Sequence, residues 1–301
     1  MRASMFLSFI WIGLIMSCSM ATQSNKREVV AEEKKPLINE TKKVSVQTGK
    51  VVFEKFSFRK PDGVYHLQCA DKTYRFFVKN QVAQLYLPAN YFSKKSSVKC
   101  VYLDGQKEIQ ALDVVIEEYD YPKERLRVAK SKVDYSKKDL ERIIKEKEIK
   151  RKIYLNSSNM YLFNRPFKVP LNSYITSHYG NQRLFNNKKK SQHLGNDLRA
   201  AVGVEIPAAN RGKVVFTGNL FFSGNVVVID HGLDIFSVYG HLSKILVSAG
   251  SIVNQGDIVG LAGATGRVSG PHLHWGIKIN GSWIDGFSLV DASKLHINDE
   301  S

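Results

Sequence analysis

His193-Leu194-Gly195-Asn196-Asp197 and Gly270-Pro271-His272-Leu273-His274 are the two short phrases on which the reading of this 301-residue chain turns. In an extended strand, side chains two apart share a face, so parity sets His193 with Asp197 and His272 with His274. Two neutral imidazole nitrogens and one carboxylate oxygen suit a zinc ion, and three protein donors leave the fourth tetrahedral position open for water. A closed structural site would fill that position with a further Cys or His. The cysteines Cys18, Cys69 and Cys100 all lie far upstream, so this stretch holds no cysteine-rich structural site.

Working outward, more phrases appear between Phe167 and Leu289. They are S-H-Y-G-N-Q-R at 177–183, I-P-A-A-N-R-G-K-V-V at 206–215, V-V-I-D-H-G at 227–232, V-Y-G-H-L-S at 238–243 and G-A-T-G-R-V-S-G-P-H-L-H-W at 263–275. With H-L-G-N-D in its place among them, this order resembles the lysostaphin-like (LytM-type) zinc endopeptidases, which cut the peptide part of bacterial cell walls. The resemblance implies one Zn2+ per chain, held by His193, Asp197 and His274. Parity alone leaves His272 and His274 equivalent as ligands, and the resemblance carries the choice of His274. It also implies that His241 and His272 flank the metal without binding it. One would draw a proton from the attacking water, while the other stabilises the oxyanion or protonates the leaving amine. Which does which stays open. The implied partner is the peptide cross-link of peptidoglycan. The alternative is a non-catalytic regulator of wall hydrolases on the same fold, although such relatives lack the metal ligands kept here. One departure is Asn186–Gln192, which replaces a more usual glycine-containing approach to the first ligand and alters the groove rim.

The other histidines read differently. His231, at a strand end before a turn, suits a structural or supporting role, and His178 is also assigned to structure. His66 and His296 fall outside the motifs and are read as surface residues. Tyr239 is read as either groove lining or core. Arg183 and Arg267 either meet substrate carboxylates or lie on a solvated surface.

Sixteen of the 21 glycines lie from Gly195 onward, which implies tight turns between short antiparallel strands. Neither a Gly-x-Gly-x-x-Gly fingerprint nor a P-loop occurs, so nucleotide chemistry has no support. The composition, 43% hydrophobic and 24% charged, is that of a globular protein, but the formal charge of +16 is high. Only +4 of it falls from Arg165 onward. The upstream excess favours anionic polymers or membrane surfaces, and no nucleic-acid module accompanies it.

The fold expected is mainly β, in several segments. A leader spans 1–21: Arg2 precedes the apolar run Met5–Met16, too short for a comfortable membrane span. It ends either at Ser19-Met20-Ala21, the form cut by ordinary signal peptidase, or at a lipobox-like Ile15-Met16-Ser17-Cys18, with Cys18 lipidated. Export to the periplasm or cell envelope follows, with lipid anchoring in the second case. A polar tether is expected over 22–44 and a small β-sandwich-like domain over 45–118, built on alternating runs such as Tyr74–Val78 and Val98–Tyr102. Cys69 and Cys100 form a candidate disulfide in an exported chain, two separate thiols being the other reading. A connector over 119–160 contains a helix capped by Ser136 and Asp139, resting on a stripe of Leu140, Ile143 and Ile144. The antiparallel β peptidase domain occupies 161–301.

Overall fold

Alternation of inward and outward side chains governs the upstream part of the computed structural model, which describes residues 35–126, 135–187 and 189–298. The leader and Cys18 lie outside the described residues. Strands β1 (Lys42–Gln47), β2 (Val51–Ser57), β3 (Gly63–Cys69), β4 (Lys72–Lys79), β5 (Val82–Pro88), β6 (Ser96–Asp104) and β7 (Lys107–Glu117) form one sheet in the order β1-β7-β6-β3-β4-β5-β2. On β4, Tyr74, Phe76 and Val78 point inward and their neighbours outward. β1 and β2 lie at opposite edges, yet only Thr48–Lys50 joins them. Flat, the seven strands would set those edges about 29 Å apart at ~4.8 Å per spacing, while the link reaches at most ~15 Å. The sheet therefore rolls up. Where two stacked sheets were expected, one continuous sheet curls around its own core. Cys69 and Cys100 face each other across β3 and β6 and form a disulfide closing a separation of 31 residues. Such a loop stabilises by roughly 3–4 kcal/mol on the chain-entropy account.

The tether expected to run to Val44 ends earlier. β1 starts at Lys42 and pairs in parallel with β7, while Ile38, Val44 and Val46 are buried in the sheet's core. Their polar neighbours hide these apolar residues in a composition-based reading. The connector also differs from expectation. Strand β8 (Lys123–Leu126) precedes helix α1 (Lys137–Ile153), whose capping box at Ser136 and Asp139 is present. Leu140 and Ile144 are exposed, whereas Glu146 is buried, with both carboxylate oxygens on the Phe221 N–H at 2.9 and 2.8 Å. Thus α1 docks through a charged clasp, completed by Arg142 at 2.7 Å, rather than through its apolar stripe.

Downstream come β9 (Ile175–Ser177), β10 (Gln182–Phe185), β11 (Lys189–Gln192), β12 (Asn196–Arg199), β13 (Glu205–Pro207), β14 (Gly212–Leu220) and β15 (Gly224–Asp230). They are followed by β16 (Ile235–Leu242), β17 (Lys244–Ile245), β18 (Ile252–Val253), β19 (Ile258–Leu261), β20 (His272–Ile279), β21 (Ser282–Ile284) and helix α2 (Gly286–Asn298). The main sheet runs β18-β14-β15-β16-β20-β12-β9 with β21 beside β20, and all its pairings are antiparallel. Asn280-Gly281 joins β20 to β21 with φ of 45° and 78°, the two positive values a tight hairpin turn requires. Leu198, Ile229, Tyr239 and Trp275 fill the core under the sheet. Tyr239 is therefore core, not groove lining.

Val51, Phe53 and Tyr86 of the rolled sheet join that same core, so the two β regions share an apolar seam. His296, read from sequence as a surface residue, is buried there. Its ring stacks on Phe53 with centroids 4.6 Å apart, and Nδ1 lies 3.0 Å from the Tyr86 hydroxyl. Nothing in the local sequence of α2 announces a partner so far upstream.

Candidate metal centre

Register brings the site together. In the antiparallel pairing of β12 with β20, Asp197 lies opposite His274 and Arg199 opposite His272, so Asp197 and His274 emerge on one face. His193 precedes β12 in a loop, so strand parity does not place it. Its backbone is pinned instead: its N–H donates to the Asn181 carbonyl and its carbonyl accepts from the Gly180 N–H. The S-H-Y-G-N phrase is thus the bracket for the first histidine. Gly195 clears space for the last one, since a Cβ there would lie 2.5 Å from His274 Cε1.

Three donor atoms converge. His193 Nε2 and His274 Nδ1 lie 3.0 and 2.7 Å from Asp197 Oδ1, and 3.3 Å from each other. Among the described residues this is the one group of histidine, cysteine and carboxylate side chains spaced to share a metal ion. His193 Nδ1–H donates to the His178 carbonyl at 2.9 Å, which turns the Nε2 lone pair towards Asp197. Burial holds the His193 imidazole below its usual range, favouring its neutral form. For Asp197, burial acts upward, but the adjacent His193 and His274 side chains prevail and hold the carboxyl well below the usual carboxylate range. Lone pairs crowded this closely call for a shared cation. Zinc fits: nitrogen and oxygen donors ~2.0–2.1 Å from a tetrahedral ion stand about 3.3 Å apart.

His241 and His272 flank this cluster. Their rings are 4.8 Å apart, and His241 is 5.8 Å from the His274 ring. His241 Nδ1–H donates to the Thr265 carbonyl and His272 Nδ1–H to the Gly270 carbonyl, each at 2.9 Å. Nε2 is the remaining nitrogen on both, and on His272 it stands 3.7 Å from Asp197 Oδ1. His241 is reached through a β-bulge: Val227 pairs with Tyr239 but Asn225 with Leu242, an extra residue on β16. Without it, parity would send His241 to the same face as the buried Tyr239. The bulge holds His241 at φ 63°, a conformation uncommon outside glycine. Burial, reinforced by the adjacent His274, pushes the His241 imidazole down to about 3, so it is neutral at neutral pH.

The remaining sequence candidates sort cleanly. His231 is fully buried, its Nδ1–H on the Arg211 carbonyl at 2.8 Å and its Nε2 on the Ser237 hydroxyl at 2.7 Å. It lies outside the cluster, in the structural role expected. His178 serves through its backbone carbonyl while its side chain is exposed. Arg267 packs over the Phe222 ring at 5.0 Å. Arg183 reaches the metal cluster, and Ser177, opposite Asp197 on β9, lies 3.3 Å from His193 Nδ1 through its hydroxyl. Sequence reasoning did not single out Ser177, although it stands in the S-H-Y-G phrase.

Comparison with known proteins places this fold and site. Residues 191–286 match Peptidase family M23, so the stretch holding all five site residues is an M23 peptidase domain. The peptidoglycan DD-endopeptidase ShyA of Vibrio cholerae is 42% identical over 108 residues, which cover 36% of this chain and 25% of that protein. The DD-carboxypeptidase/endopeptidase Mpg of Neisseria meningitidis is 36% identical over 98 residues, covering 33% of this chain and 23% of its own. The chain thus matches about a quarter of the length of these curated relatives. A crystal structure from Pseudomonas aeruginosa assigned to peptidase M23 aligns with a TM-score of 0.63 at 23% identity. It covers 85% of this chain and 97% of that one, so the likeness in fold extends into the upstream rolled sheet.

Proposed function

We propose that this protein is an exported zinc metalloendopeptidase that hydrolyses peptide cross-links of peptidoglycan. The observation that carries the proposal is the convergence of His193, Asp197 and His274 on one point, with two further imidazoles facing it. Relatives named as peptidoglycan DD-endopeptidases support the substrate class and favour a DD-type cross-link. A zinc ion bound there supplies Lewis-acid polarisation of the scissile carbonyl and acidifies water. His241, neutral and with Nε2 open, accepts the proton of the attacking water. His272, its Nδ1–H anchored on the Gly270 carbonyl, donates Nε2–H from the doubly protonated ring to the carbonyl oxygen as charge develops there. The water oxygen bonds to the carbonyl carbon, the C–N bond breaks, and the proton taken up at His241 passes to the departing amine. Neither a serine nor a cysteine nucleophile takes part.

Export and attachment through a lipidated Cys18 complete the proposal, on the strength of the leader's charge, length and lipobox-like end. To test the function, the zinc-loaded chain is incubated with purified walls carrying direct or glycine-bridged cross-links, and fragments are identified by mass spectrometry. Conversion of cross-linked dimers to monomers, blocked by chelation, is the expected result. Bound zinc without any new peptide ends would favour the regulator instead. Anchoring is read from the mass of the mature N-terminal peptide: a diacylated Cys18 supports it, and cleavage after Ala21 refutes it.

A further inference from the structure

Arg183 was left by sequence between substrate recognition and plain surface. Its surroundings point to a third role. Nη2 donates to the Ser177 hydroxyl at 2.6 Å and stands 3.5 Å from Asp197 Oδ2, while Nε stands 3.6 Å from Glu124 Oε2. Its guanidinium faces three protein acceptors, one at hydrogen-bond distance and two carboxylates at ion-pair distance, so its charge is already partnered within the protein. Asp197 uses its two oxygens differently: Oδ1 faces the histidines and Oδ2 faces Arg183. Ser177 extends the contact to His193, whose Nδ1 is 3.3 Å from the same hydroxyl. One side chain therefore touches the outer atoms of one metal-binding residue directly and of a second through Ser177.

Glu124 comes from outside the peptidase domain. It lies on β8, the connector strand, which pairs in parallel with β10 so that Glu124 and Arg183 are register partners. Glu124 is held in turn by the side-chain amide of Asn181, the residue whose backbone carbonyl accepts the His193 N–H.

We propose that Glu124 and Arg183 form an outer brace that positions the Asp197 carboxylate, so that the upstream connector completes the metal centre. The proposal rests on the reading of this cluster as a zinc site. A guanidinium keeps its charge at any working pH and presents donors in a fixed plane, so it can hold Oδ2 while Oδ1 stays aimed at the metal. Glu124 has two effects of the same sign. It fixes the guanidinium plane, and its negative charge offsets a cation that would otherwise stand uncompensated beside a divalent ion. Arg183 and Glu124 are positioning residues; neither touches the reacting atoms.

The test is zinc affinity of the full chain, measured by competition with a chelating dye, with melting of the metal-free protein followed in parallel. Arg183→Ala weakens zinc binding by about 10–100-fold, the usual cost of losing a partner of a metal ligand. Arg183→Lys recovers part of this, because an ammonium cannot reach all three acceptors at once. Glu124→Gln weakens binding by roughly threefold to tenfold. The double variant binds zinc within about twofold of Arg183→Ala alone, because Glu124 acts through Arg183. Unchanged or tighter binding by Glu124→Gln, or fully additive losses, would overturn the brace. So would losses that merely follow the metal-free melting temperature, since those mark a fold defect. If the unaltered chain binds no zinc, the reading of the centre falls and the brace with it; if it binds and only the variants fail to differ, the brace alone falls.

Discussion

Two buried histidines of opposite character flank the β16 segment, His231 in the turn before the strand and His241 near its far end. At one end, His231 gives both ring nitrogens to the protein, to the Arg211 carbonyl and the Ser237 hydroxyl. At the other, His241 gives only Nδ1, to the Thr265 carbonyl, and a bulge turns its second nitrogen towards the metal cluster. Burial lowers both, to about 4 for His231 and about 3 for His241. What separates the structural imidazole from the one proposed to work is therefore not burial or charge state. It is whether a nitrogen is left to face the site.

Perturbing the cluster should have the largest effect. Asp197→Ala removes the atom that both imidazoles share, and the account predicts loss of zinc retention together with wall cleavage. A variant that lost cleavage but kept its metal would detach Asp197 from the centre. His241→Ala comes next: zinc stays bound while turnover drops by about 10²–10⁴-fold, the range for a lost general base. Undiminished turnover would place His241 with His231 as a structural residue. Gly195→Ala sharpens the point without touching a donor. Its Cβ presses on the His274 ring, and zinc affinity is expected to fall about 10–100-fold while the disulfide-bonded sheet remains folded.

The upstream sheet and His231 answer to stability instead. Replacing Cys69 and Cys100 by alanine should cost roughly 3–4 kcal/mol in denaturant unfolding, with zinc affinity unchanged. His231 has the smallest expected effect on activity but a clear signature in pH. Its folded value of about 4 lies below the ordinary 6.5, so the unfolded chain takes up the extra proton first. Stability therefore declines as pH falls from 6.5 to 4, by about 3 kcal/mol for this group in full. His231→Gln flattens that part of the profile. An unaltered slope in the variant would show that other groups set the acid limit.

How much of this was legible in sequence depended on the range of the contacts. His193, Asp197 and His274 stood in short phrases, and the β12–β20 register joins Asp197 to His274, a pairing that parity within each phrase did not address. His193 arrived at the right place by another route, a loop pinned to Gly180 and Asn181, which parity could not describe. The alternating runs revealed the strands of the upstream sheet but not that its edges meet; that follows from the short link Thr48–Lys50 once the strand order is known. His296 was misread and Glu146 was not singled out, because their burial is decided by partners far away in the chain, Phe53 and Phe221. Arg183 was ambiguous for the same reason, since Glu124 lies in another segment altogether. A single sequence displays periodicity and motif order well, and pairings across distant segments poorly.

Equilibrium zinc titration of the full chain beside Asp197→Ala tests the central claim most directly. The account predicts one tightly bound ion per chain in the unaltered protein and none in the variant. Equal binding by both, or no binding by either, would contradict it.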